Sequence, residues 1–195
     1  MNNQLLWYTT RGAGAVTLVL LSAVVVLGLA ARARFERRGW PRFLSATLHR
    51  DLALMTVVFL GLHIVTAVVD PFTHLGIVAA VVPFGSYYRT FWLGLGTVSL
   101  ELMLAIIVTS LLRRFIGHRV WRSIHWLAYA AWPVAVLHGL GTGTDAFSLW
   151  MLGITAVCVV AVLTALFWRL RTAPGDPLEE DRRVAATRAA YGAMR

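Results

Sequence analysis

The sequence predicts an all-α integral membrane protein, a bundle of five transmembrane helices. Three observations carry this. The 195 residues are 58% hydrophobic and only 14% charged, whereas a soluble domain carries about 25% charged residues. Five apolar runs, at 12–31, 48–69, 91–112, 121–140 and 147–168, reach the roughly 20 residues that a helix needs to cross a bilayer. The connections between them alternate in charge, which marks a topology and not a basic surface.

The first run is followed by small residues, Ala30, Ala31 and Ala33, as a signal peptide would be. It is long for the apolar part of one, however, and Arg11 is the only basic residue before it; it reads as a retained span. The connection RARFERRGWPR then carries Arg32, Arg34, Arg37, Arg38 and Arg42. Between the third and fourth runs, RRFIGHRVWR carries Arg113, Arg114, Arg119 and Arg122, and Arg169 and Arg171 follow the fifth. The other two connections hold Asp70, His74 and Arg89, then Asp145. Basic loops stay in the cytoplasm. The expected place is therefore the inner (cytoplasmic) membrane, with the N-terminus outside and the C-terminus cytoplasmic. The outer connection 70–90 contains LGIVAAVVPF, too short to span, which reads as a flap over the outer end of the bundle. Residues 1–172 form the membrane domain. Residues 173–195 turn polar and read as a short cytoplasmic tail, with a helix start near Pro177. The net charge of +9 sits in loops, so membrane lipid and not nucleic acid is the expected partner.

Four histidines stand inside this frame. His49 and His63 lie in the second run, 14 residues apart; His125 and His138 lie in the fourth, 13 apart. Both runs go from cytoplasm to outside, so the histidines fall at matched depths, about 21 Å and about 20 Å apart along each helix. Neutral imidazole is a common ligand of haem iron. Two pairs at two depths suggest two irons: His49 with His125 on the inner side, His63 with His138 on the outer. A dinuclear centre fits poorly, because its ions sit only about 4 Å apart. The single Cys158, with no C-x-x-C-H, leaves any haem non-covalently held. Rotation poses a difficulty. Fourteen residues bring His49 and His63 to within about 40° of one face, but thirteen turn His125 and His138 about 140° apart. Pro133 lies between them, and a kink or altered turn near it is expected to bring His138 back.

The histidine spacing, the stretch WRSIHWLAY and the later LHG together resemble the ferric reductase-like transmembrane domain over 48–140. That superfamily includes ferric reductases, NADPH oxidases and the haem subunit of a bacterial methionine sulfoxide reductase system. The resemblance implies two b haems, His49, His63, His125 and His138 as axial ligands, and single-electron transfer across the membrane. Many members have six spans and carry a flavin and nicotinamide domain. Here five are counted, and no dinucleotide-type glycine loop follows the last. The donor is then expected to be a separate flavoprotein or a membrane quinol. The acceptor is expected to be a ferric chelate, a flavin or another redox protein outside the cytoplasm.

Other residues fill supporting roles in this reading. Arg50 and Arg122 flank the inner pair as candidate contacts for haem propionates, with Arg89 on the outer side. Glu101 sits mid-span, where an ionisable group is costly and functional by default; a proton, quinone or arginine-pairing role is expected. Asp51 could orient a ligand or pair with Arg50. Phe59, Tyr129 and Trp132 lie along the route between the two depths. Trp40, Trp92, Trp121 and Trp168 read as interfacial belt residues, His118 as solvated, and His74 as part of an exit site. The competing readings are a histidine-lined divalent-metal permease, disfavoured by the lack of membrane carboxylates beyond Glu101, and a non-haem structural subunit.

Overall fold

The computed structural model describes residues 3–32, 42–71 and 75–172. His74, Trp40, Arg34, Arg37, Arg38 and the tail 173–195 lie outside the described residues. The chain is all-helical: α1 (Asn3–Arg32), α2 (Arg42–Val69), α3 (Gly76–Val81), α4 (Thr90–Leu111), α5 (Arg113–Ile116), α6 (His118–His125), α7 (Ala128–Thr142) and α8 (Leu149–Arg171). Among the described residues there is no strand. Among the described residues four helices, α1, α2, α4 and α8, are long and apolar enough to cross a membrane.

The predicted run 121–140 is divided. The chain turns at Trp126 and Leu127, leaving α6 on one side and the 15 residues of α7 on the other. At 1.5 Å per residue α7 is about 22 Å long, short of a hydrocarbon core of about 30 Å. The two parts differ in composition. α6, HRVWRSIH, is polar and suits the edge of a membrane, while AYAAWPVAVLHGLGT is apolar throughout. Gly117, at φ +75°, makes the corner between α5 and α6 in a conformation that costs glycine little.

α1 is the hub. It packs against α2, α7 and α8, while α4 packs on α7. The buried core joins Leu21, Val25 and Leu29 of α1 to Met103 of α4, Trp132 and Val136 of α7, and Val162 of α8. Outward faces are apolar, as with Leu54, Val58 and Val65 on α2 and Val157, Val160 and Leu163 on α8. Lipid is as apolar as these side chains, so close packing rather than hydrophobic burial holds such helices together. Gly141 of α7 lies against the Trp92 ring of α4, where even a methyl group would overlap the indole.

The connection between α2 and α4 is fastened down. α3 packs on both α2 and α4, and Thr97 Oγ1 donates to the Ala79 carbonyl at 2.9 Å. The Phe84 ring lies against Gly94 and stacks on Phe91, centroids 6.2 Å apart.

Candidate functional site

The two histidines of α2 meet one histidine of α6 and one of α7, in the pairs that the sequence pattern suggests. The rings of His49 and His125 have centroids 6.2 Å apart; those of His63 and His138 are 6.3 Å apart. The turn that makes this possible lies at Trp126–Leu127 and not at Pro133, which stays inside α7. Leu127, Tyr129 and Ala130 donate to the carbonyls three residues back, at 2.9, 3.1 and 3.0 Å. Such bonding turns the chain about 120° per residue instead of 100°, which reduces the deficit. Pro133 has no N–H to offer Tyr129. Tyr129 falls in the first turn of α7, where the ladder is already tightened.

Three of the four rings are oriented from behind. His49 Nδ1 lies 3.0 Å from the Val24 carbonyl, His63 Nδ1 2.8 Å from the Thr10 carbonyl, and His138 Nδ1 2.9 Å from the Trp92 carbonyl. A carbonyl only accepts, so the proton sits on Nδ1 and the lone pair on Nε2, which points away from that carbonyl. Metal-binding histidines use this arrangement to fix tautomer and ring orientation. His125 differs. Its Nδ1 is buried without a hydrogen-bond partner, and its ring stacks on Trp121 at 5.0 Å and 29°. Trp121 in turn lies under the Arg113 guanidinium, 4.2 Å away, and donates to Ser110 Oγ at 3.2 Å.

A cavity of about 260 Å³ opens at the outer pair. Its walls come from α1, α2, α4, α7 and α8, with Ala79, Ala80 and Tyr88 from the connection between α2 and α4. Among the described residues no three of His, Cys, Asp and Glu converge on one point; the histidines meet as pairs. The arrangement fits haem. Two imidazoles on opposite faces of one iron, each through a bond of about 2 Å and with about 1 Å from Nε2 to ring centre, have centroids about 6 Å apart.

Residues 13–136 match the family model described as "Ferric reductase like transmembrane component". The chain belongs to the ferric reductase-like transmembrane family. It is a multi-pass membrane protein of a family that functions in membrane redox chemistry and whose domains generally bind haem. No curated protein and no solved structure matched. The family's match begins in α1, well before the resemblance read from residue 48, and stops two residues before His138.

The remaining residues divide into those that reach the ferric reductase-like site and those that do not. Arg50 is exposed and pairs with its neighbour Asp51 at 3.1 Å; a pair of this kind is worth about 0–1 kcal/mol. Arg122 is exposed on α6. Arg89 donates to the Gly141 carbonyl at 2.6 Å, a tie between the outer connection and α7. Glu101 is exposed on α4, with no hydrogen bond or ion pair among the described residues; the neighbouring Leu100 faces the cavity instead. His118 is exposed beside Trp121. Trp132 is buried between the two pairs, its Nε1 donating to Ser22 Oγ at 2.9 Å, whereas Tyr129 is partly exposed beneath Arg169. Sequence reasoning passed over three residues. Trp92 meets His138 through its backbone carbonyl and Trp121 meets His125 through its ring; Trp121 carried a signal, standing four residues before His125 on one helix face. Arg11 reaches the cavity rim, pairs with Asp145 and donates to Thr144 Oγ1 at 2.7 Å. A lone arginine in an apolar helix was its signal.

Proposed function

We propose that this chain is a dihaem b-type electron-transfer subunit of the cytoplasmic membrane. In this reading His49 and His125 hold the inner haem, and His63 and His138 the outer one. Single electrons pass from a cytoplasmic flavoprotein or a membrane quinol to an acceptor outside, such as a ferric chelate or a redox protein. The observation that carries the reading is the pair of imidazole couples at 6.2 and 6.3 Å, three of the four rings with Nδ1 bonded to a helix carbonyl.

Haem, when bound, supplies a one-electron couple, and with two histidine ligands its iron has no open position for a substrate. The chain's residues do the rest. The α1 and α4 carbonyls hold the imidazoles in one tautomer. Trp132 and Ser22 fill the space between the two depths with a rigid, hydrogen-bonded contact that excludes water. Arg11, at the outer cavity, is a cation suited to an anionic haem propionate, the role the sequence assigned to Arg89. On the inner side Arg50 and Arg122 remain the candidates. Glu101, facing outward at mid-helix, suits a quinol or a partner better than a relay inside the bundle. The alternating loop charge supports α6 and α7 together as the crossing that completes five spans, with the N-terminus outside.

The test is a reduced-minus-oxidised spectrum with haem quantitation on the purified protein. Two b haems per chain are expected. His63→Ala should remove one and His125→Ala the other, distinguishable by their separate low-spin ferric signals. A wild-type protein without a b-type band would end the proposal.

A further inference from the structure

Three of the four histidines are seated in the same way. The carbonyls that receive Nδ1 belong to Thr10, Val24 and Trp92. Four residues after each stands a glycine: Gly14, Gly28 and Gly96. Each glycine is the one against which the corresponding ring lies. A Cβ at Gly14 would come 3.0 Å from His63 Cε1 and Nδ1, one at Gly28 3.5 Å from His49 Cε1, and one at Gly96 2.5 Å from His138 Cε1 and 2.6 Å from its Nδ1.

The recurrence has a geometric reason. A helix carbonyl already accepts from the N–H four residues on, and it has a second lone pair to give. A donor approaching that lone pair from another helix must pass beside the residue four positions later. A side chain there blocks it. On α1 the two glycines are 14 residues apart, as are the two carbonyls, and so are His49 and His63 on α2, which runs the other way. The spacing on one helix is written into the other.

We propose that Gly14 and Gly96 are positioning residues that leave room for His63 and His138 to dock on helix carbonyls with Nε2 free for iron, while Gly28 holds the equivalent place beside His49 with space for a methyl group. The proposal rests on the dihaem reading above. His125 has no such seat. Thirteen residues beyond Gly96, the interval that separates His125 from His138, α4 carries Thr109, whose Oγ1 donates to the Ala105 carbonyl at 2.6 Å.

Three variants of the full-length protein, Gly96→Ala, Gly14→Ala and Gly28→Ala, test this against Gly12→Ala and Gly61→Ala, where an added methyl meets nothing within 4 Å. The readouts are haem per chain, the low-spin ferric signal of each haem, and its midpoint potential. Gly96→Ala should fall from two haems to one, losing the outer signal that His63→Ala removes and keeping the inner. Gly14→Ala should keep two haems with the outer potential raised, because a weaker Nδ1 bond makes imidazole a poorer donor to ferric iron. It carries the test if Gly96→Ala does not accumulate. Gly28→Ala should be close to wild type, since its methyl makes ordinary contact. Two haems with unchanged potentials in both Gly96→Ala and Gly14→Ala, or equal loss of both haems, would overturn the seat while leaving the dihaem reading intact. A haem-free wild type overturns both.

Discussion

At the scale of single residues the two imidazole pairs are built differently. Three rings are held by carbonyls, while His125 is held by the face of Trp121, with its Nδ1 unpaired. Removing Trp121 should therefore loosen the inner site selectively. Trp121→Ala is expected to lower occupancy of the inner haem several-fold and leave the outer near full, read from the two low-spin signals; Trp121→Phe should restore most of the loss by keeping a stacked ring. The paired histidines were legible in the sequence because side chains 13 and 14 residues apart report depth along a helix. Trp121 was partly legible, by its four-residue interval from His125. Gly14, Gly28 and Gly96 were not, because a glycine gives no sign of what lies against it until the neighbouring helix is in place.

At the scale of elements α1 decides the most. It supplies the carbonyls for both α2 histidines and the Ser22 hydroxyl for the Trp132 indole. Ser22→Ala leaves that buried N–H unpaired, at a cost of about 1–3 kcal/mol, so a lower melting temperature in detergent is expected, with haem content at low temperature unchanged. The boundaries of the long helices follow the apolar runs closely at 69 and within a residue at 90 and 111. The fourth run misled, since apolarity alone does not reveal a break between α6 and α7. That break depends on hydrogen bonds shifting to the carbonyl three residues back, an adjustment that Pro133 hinted at but did not locate.

At the scale of the whole molecule an ion pair closes the end of the bundle where His63 and His138 meet. Arg11 of α1 pairs with Asp145 between α7 and α8, and both side chains are largely buried, at 17% and 20% exposure. Removing one partner of a buried pair costs about 3–5 kcal/mol, because the other charge is left uncompensated, whereas removing both costs much less. These groups keep some water access, so the lower end is expected. Arg11→Ala and Asp145→Ala should each lower thermal stability more than the double variant does, measured by melting in detergent. A second expectation concerns the crossing number. Reporter fusions at the N-terminus and after residue 172 should fall on opposite sides of the membrane if α6 and α7 complete a fifth span; the same side would reduce the crossings to four.

The sequence by itself pointed to the helical membrane class, to the spacing of the histidines along their helices and, through its motifs, to the family; helix rise converts residue number into distance along an axis. The tertiary structure decided rotation and support: which ring faces which, what lies behind each imidazole, and where the fourth run breaks. Those depend on contacts between helices far apart in the chain, where a missing Cβ on one helix matters only for the ring that another helix brings to it.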